Sequence, residues 1–405
     1  MKRAAAVVVL LACLSAFVFQ VPAFGALNAE SLRGTELFVY NWGEYISDGS
    51  EGSLDVNKAF EEKYGIKVVY DTFDNNEVMY TKLKGGGVSY DVVIPSDYMI
   101  ERMVSENMLQ TIDFANVPNY KYIDAKYKNL PFDPNNEYSV PYNVGTIGLI
   151  YNTKKVAVAP DSWDALWNPD YAGQILMINN PRDAFAIAHA ILGIDCNTTD
   201  KADWEAGAQK LKEQKALVQS YVNDEVYNKM ESGEAALAPY YVGDFLTMRA
   251  NNPDLAFVFP KEGVNFFVDS MCIPQGAKNK AAAELYINFL LEPDIALANA
   301  EYICYASPNT AVTSNPDYSL AGNEYIYPPD SAGIKTSIYR NLPQDTLNLM
   351  SSLWDDVKNY SGEADGESKG GLGSGAQTAI ALSAVAAAAA AYLVFRAVRK
   401  KKREV

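Results

Sequence analysis

Glu36-Leu37-Phe38-Val39-Tyr40-Asn41-Trp42-Gly43-Glu44-Tyr45 is the stretch on which the fold turns. Its first five residues are a short run rich in β-forming side chains, which predicts a strand over 36–40. The polar and aromatic residues that follow fall at that strand's carboxyl end. Downstream, Val56, Phe60 and Tyr64 recur every four residues until Gly65, which predicts a helix capped by Ser53. Residues 66–70 read as a second strand and residues 77–84 as a helix closed by Gly85-Gly86-Gly87. Asp91-Val92-Val93-Ile94-Pro95 reads as a third strand. This alternation is a βαβαβ run, so the fold class is α/β with a parallel sheet. No Gly-Lys-Ser/Thr follows the glycine triplet, so it ends a helix rather than cradling a phosphate.

The chain has 405 residues, more than one core comfortably holds, and predicts two α/β lobes. Residues 140–151 carry no charged side chain and are expected to pass from one lobe to the other, with further strands over 174–178 and 236–241.

Open parallel sheets bind ligands at the carboxyl ends of their strands. Trp42 and Glu44 stand at such an end and suit an organic cation: an indole face attracts an ammonium and a carboxylate accepts its hydrogen bonds. The alternative is an aromatic turn packed over a strand. Ser96 and Tyr98 follow the third strand, where Ser96 either faces the same edge or caps the next helix. In Asn180-Pro181-Arg182-Asp183, Asn180 is an N-cap and Pro181 a first helical residue, and Asp183 either supports the helix start or faces a ligand. Asp244 follows Tyr241 and either caps a helix or faces a ligand. Asp269 sits inside an apolar run from Asn265 to Ile273, where a carboxylate needs a partner or a wet cleft. Tyr305, ahead of a turn, reads by itself as packing.

Both chain ends predict an extracytoplasmic location. Lys2 and Arg3, an apolar run and the small residues around Gly25 read as a signal peptide over 1–25. Leu10-Leu11-Ala12-Cys13 also reads as a lipoprotein box. Residues 363–377 form a Gly/Ser-rich linker to an uncharged run over 378–395, 18 residues long, and six Lys and Arg follow within 396–405. That order predicts a transmembrane helix with a cytoplasmic basic tail. Setting aside Lys2, Arg3 and the net +5 of the tail, the formal −16 becomes −23 on residues 26–395, which excludes nucleic acid as the expected partner and favours cations. Cys196, Cys272 and Cys304 are an odd set after cleavage and read as structural thiols. With no G-x-S-x-G, no H-E-x-x-H and His189 as the single histidine, serine–histidine and histidine–metal chemistry have no support. A secreted carboxylate-pair hydrolase stays open.

Taken in order, Y-N-W-G-E-Y, Y-D-V-V-I-P-S-D-Y, N-N-P-R-D-A-F, P-K-E-G with F-F-V-D-S, N-F-L-L-E-P-D and Y-A-S-P-N make the chain resemble the spermidine/putrescine-binding proteins of bacterial polyamine uptake systems. These belong to the periplasmic-binding-protein superfamily, and the likeness covers most of residues 33–360. It implies a two-lobed flytrap, with residues 33–143 and 268–317 in lobe 1 and residues 144–267 and 318–362 in lobe 2. It implies capture of a polyamine, delivery to an ABC transporter permease with its ATPase, no enzymatic activity, a monomer, and neither metal nor cofactor. The ligand residues it implies are Trp42, Glu44, Ser96, Tyr98, Asp183, Tyr241, Asp244, Phe267, Asp269, Tyr305 and Gln344. The sequence departs from the family at Gly43, where Ser or Thr is usual, at Asn180, an Asp in spermidine binders, and at Tyr241 and Phe267, where Trp is common. A ferric-binding protein of the same fold, with Tyr240 and Tyr241 as ligands, is the other binding reading.

Overall fold

The computed structural model describes residues 29–362. The signal peptide, lipoprotein box, linker, transmembrane helix and basic tail read from the sequence lie outside the described residues. No helix among the described residues is long and apolar enough to cross a membrane.

Among the described residues eleven strands follow one another: β1 (Glu36–Trp42), β2 (Lys67–Phe73), β3 (Val92–Val93), β4 (Leu109–Gln110), β5 (Ser139–Asn152), β6 (Ile175–Ile178), β7 (Val218–Val222), β8 (Leu237–Tyr241), β9 (Leu255–Val258), β10 (Val264–Pro274) and β11 (Thr336–Ser337). They join in the order β2-β1-β3-β10-β5-β8-β6-β7, with β4 and β11 on β10 and β9 on β5. β1 is parallel to β2 and β3, and β6 is parallel to β7 and β8. Between these parallel groups lies the antiparallel pair β5 and β10. The expected α/β architecture with two parallel groups is therefore present.

β1 explains why the first group forms. Leu37 and Val39 pack with Val56, Phe60 and Ile66 on one face, while Tyr40 packs with Phe73 and Tyr90 on the other. Burial on both faces is the mark of a parallel strand covered by helices. The helix Val56–Tyr64 lays the buried Val56 and Phe60 against the sheet, and full burial of Phe60 contributes about 2 to 3 kcal/mol. Gly65 ends it at φ 66°, a conformation glycine adopts without a Cβ clash. The expected Ser53 cap is corrected: Asp55 accepts from the Lys58 N–H at 2.9 Å, because a 3-10 turn over Ser50–Gly52 delays the helix start.

β5 contains the charge-free run over 140–151. Its first half pairs with β10 and its second half with β8 and β9. All but one of its 14 residues are buried, which accounts for the missing charges. At Gly145 any Cβ would lie 2.5 Å from the Phe267 ring and 2.9 Å from that of Tyr305, so only glycine lets both rings close over the strand. Cys196, Cys272 and Cys304 are free thiols, as expected.

Candidate functional site

The carboxyl ends of β1, β2, β6, β7 and β8 meet the first half of β10 around a cavity of about 90 Å³. Nine of the eleven candidate residues line it: Trp42, Ser96, Tyr98, Asp183, Tyr241, Asp244, Phe267, Asp269 and Tyr305. Among the described residues its lining carries six aspartates and nine aromatic side chains, and no Lys, Arg or His.

Asp269 is buried in the cavity wall. It pairs with Asn143 of β5, after which the register shifts past Tyr142 so that Ser270 meets Pro141. The Tyr45 hydroxyl donates to its Oδ2 at 2.7 Å. Oδ1 is buried with no donor at hydrogen-bonding geometry, although the nearby Ser96 hydroxyl still favours the charged form. With the residue 4% exposed, burial pushes its carboxyl up to about 6. Ser96 occupies the N-cap position of the helix Asp97–Ser105 without making a side-chain cap bond. Its hydroxyl accepts from Asn76 Nδ2 at 3.1 Å instead, so the cap alternative is not what the structure contains.

Across the cavity, Asn180 caps the helix Pro181–Leu192 by accepting from the Arg182 N–H at 3.0 Å, with Pro181 in its first turn. This leaves the Asp183 carboxylate to accept from the Tyr241 hydroxyl at 2.7 Å and the Tyr339 hydroxyl at 2.9 Å. Burial pushes Asp183 up to about 6. Asp244, in the first turn of the helix Val242–Asn251, makes no cap. It accepts from Tyr305 at 2.5 Å and from Tyr227, and burial raises its carboxyl. Gly243 makes this possible, since a Cβ there would lie 2.0 Å from the Tyr305 ring. Tyr305 is therefore both packing and part of the cavity wall.

The aromatic side chains form a connected surface. Tyr241 meets Phe267 edge-on at 5.6 Å, Phe267 meets Tyr305 at 6.2 Å, and Tyr305 meets Tyr45 at 5.3 Å. Trp42 tilts on Phe73 at 4.6 Å and donates its indole N–H to the Ile94 carbonyl at 2.8 Å, which fixes the ring. The Tyr98 hydroxyl donates to Glu77 at 3.0 Å.

Two candidates are not brought to the cavity wall. Glu44 adopts φ 51°, and that left-handed turn sends Tyr45 inward while Glu44 stays exposed. Its charge is still felt there, adding to the rise at Asp224 and Asp244. Gln344 starts the helix Gln344–Asn359 in an exposed position, accepting from Arg102 at 2.8 Å and donating to Asn348.

Other lining residues escaped the sequence reading. Asp74 and Asp224 follow β2 and β7, so the rule that selected Trp42 selects them too. β2 runs three residues past its expected end, and β7 was not anticipated. Asp224 keeps solvent contact, yet desolvation and then Asp244, Asp74 and Glu44 push it up to about 6. Asp97 is fully buried beside Asp269 and pushed up to about 8, mainly by burial. Tyr45, Tyr339 and Asn265 also line the cavity, and only the fold places them there.

The iron-binding and histidine readings find no support in this geometry. Tyr240 and Tyr241 both line the cavity, but burial pushes both phenols well above their ordinary range and the Tyr241 proton is held by Asp183. His189 is enclosed beside Phe185 and Trp204, away from the cavity lining.

Residues 89–322 match the family model for bacterial extracellular solute-binding proteins. The spermidine/putrescine-binding periplasmic protein of Escherichia coli (strain K12) is 37% identical over 321 residues, covering 79% of this chain and 90% of that protein. That of Salmonella typhimurium is 36% identical over 340 residues, covering 83% and 95%. Among solved structures, a spermidine/putrescine ABC transporter protein from Listeria monocytogenes superposes with a TM-score of 0.76 at 38% identity, covering 80% of this chain and 99% of that one.

Proposed function

The chain belongs to the bacterial extracellular solute-binding proteins, and on that premise we propose that it captures a polyamine, spermidine or putrescine, in the cleft and delivers it to an ABC transporter permease driven by its ATPase. One observation carries the reading: among the described residues, six aspartates and nine aromatic side chains line a cavity without a single basic side chain. A polyamine supplies what that cavity lacks, positive charge for the carboxylates and methylenes for the rings.

We assign Asp183, Asp244 and Asp269 as ammonium anchors, and Trp42, Tyr98, Tyr241, Phe267 and Tyr305 as the walls that stack on the methylene chain. Ser96 supports Asp269. Two charge-assisted contacts of about 1.5 to 3 kcal/mol each, with cation–π attraction of about 0.5 to 2, approach the roughly −8 kcal/mol of micromolar binding. We divide the lobes at the crossing strands, residues 33–143 and 268–317 against residues 144–267 and 318–362, so that β5 and β10 act as the hinge. Closure excludes water and strengthens each ion pair. We further propose that residues 378–395 anchor the binder in the membrane, holding it near its permease at high effective concentration.

Titration calorimetry of the purified protein with putrescine, spermidine, ferric iron and a neutral sugar tests the reading. Saturable binding of a polyamine and of neither iron nor sugar is the expected result. Binding of iron with a visible tyrosinate band, and no polyamine binding, overturns it.

A further inference from the structure

We infer that Glu101 is a positioning residue that ties the two lobes together when the cleft is shut and so slows release of the ligand; the inference rests on the polyamine reading and the lobe division above. Glu101 lies on the helix Asp97–Ser105 of lobe 1, outside the residues that line the cavity. Its carboxylate accepts three hydrogen bonds from lobe 2. Arg340 donates through Nε at 3.1 Å and through Nη2 at 2.6 Å, and the Asn341 backbone N–H donates at 2.8 Å. The next residue of the helix, Arg102, donates to Gln344 at 2.8 Å. An exposed ion pair contributes little in general. Here the fork is bidentate, the Glu101 side chain is only 23% exposed and a backbone donor adds a third bond, which is the geometry in which charge-assisted bonds are strong.

The segment that Glu101 holds also carries Tyr339. That side chain is buried, donates to Asp183 at 2.9 Å and lies edge-on to Tyr98 of lobe 1 at 5.9 Å. Within lobe 2 the segment is fixed along its backbone. Asn197 Oδ1 accepts from the Arg340 N–H at 2.9 Å, Asn197 Nδ2 donates to the Ile338 carbonyl at 2.9 Å, and the buried Arg182 donates to the Arg340 carbonyl at 3.2 Å. Residues 338–344 therefore form a strap whose inner side chain orients a cleft carboxylate and whose outer side chains reach the lobe 1 helix. A contact between hinged lobes favours the bound form only if opening breaks it, since a contact made in both forms leaves their ratio unchanged. A bidentate fork meets that condition: bonds stretched beyond about 3.5 Å are lost, so a small separation of the lobes releases Glu101. The strap thus makes the Tyr339–Asp183 contact and lobe closure depend on each other.

Stopped-flow fluorescence with spermidine and putrescine on the intact protein and its Glu101→Ala, Arg340→Met and doubly substituted variants tests the assignment, with ligand-free denaturation to show that each variant folds. Asp161→Asn is the control, because it removes an acid from an exposed ion pair with Lys261 that stays within lobe 2. In each single variant koff is expected to rise about three- to tenfold while kon stays within about twofold of the parent. The double variant is expected to release no faster than Glu101→Ala, since both changes remove one shared contact. Loss of a surface charge by itself acts on kon, so Asp161→Asn is expected to keep the parent koff. A folded Glu101→Ala variant with the parent koff overturns the inference. A change confined to kon does so too, as does a double variant whose rise in koff is the product of the single rises. If Glu101→Ala does not fold, Arg340→Met carries the same expectation. A parent that binds neither polyamine overturns the underlying reading and this inference together, a result distinct from a parent that binds both while the variants match it.

Discussion

Replacing Asp269 by Asn removes one negative charge and almost no volume. The Asn side-chain oxygen can still accept from the Tyr45 hydroxyl, which now donates to Asp269 at 2.7 Å, so the pocket keeps its shape. Two opposite effects follow. Keeping this carboxyl ionised at neutral pH, with its pKa pushed by burial to about 6 from 3.8, costs the empty fold about 3 kcal/mol. Asp269→Asn should therefore stabilise the ligand-free protein at pH 7.5, by about 1 to 3 kcal/mol once weaker bonding to Tyr45 is allowed for. Polyamine binding should weaken by about 2 to 5 kcal/mol, the loss when one member of a buried charge pair is removed. Denaturation without ligand and calorimetry with spermidine and putrescine read the two effects separately. A variant that folds and binds both polyamines as tightly as the parent refutes the anchor role. One that melts well below the parent refutes the view that the buried charge is a burden on the empty fold.

Three further outcomes are expected. Gly243→Ala places a methyl 2.0 Å from the Tyr305 ring, so Tyr305 must leave Asp244; fluorescence titration should show at least a tenfold loss of polyamine affinity, and parent-like affinity would exclude this contact from binding. Asp183 and Asp269 both have carboxyls raised to about 6, so their contribution to ligand-free stability is present in acid and lost as pH rises through 6, whereas a bound cation favours the ionised forms. Affinity should therefore fall about tenfold per pH unit for each of these groups below 6, with proton release visible as buffer-dependent binding heats, and flat affinity between pH 7.5 and 5 would contradict it. A chain ending at Gly371 should be secreted into the soluble fraction while the full-length chain stays with membranes, and equal solubility of the two would remove the proposed anchor.

The hydrophobic spacing of residues 36 to 95 determined the βαβαβ unit by itself, because strand and helix periods are local properties of the chain. The charge-free run over 140–151 was read as a connection and proved to be strand β5, whose burial on both faces tolerates no unpaired charge. Cavity residues that follow strands carried a local signal, and Trp42, Ser96, Asp183 and Asp244 were legible for that reason. Asp74 and Asp224 carried the same signal but lay after strand ends that the pattern misplaced or missed.

What remained was decided by tertiary structure. Whether a carboxylate near a helix start caps that helix or faces a cleft depends on which hydroxyls arrive from distant segments. Tyr339, 156 residues from Asp183, settles it there, and Tyr305, 61 residues from Asp244, settles it for that residue. Glu44 and Gln344 matched the family pattern in sequence, yet a left-handed turn and an exposed helix start keep them off the cavity wall. The alternation of Asn265, Phe267 and Asp269 was visible in the sequence, but only the packing of β10 against β5 and β11 shows which face of that strand meets the cleft, because a one-residue change of register would turn all three away.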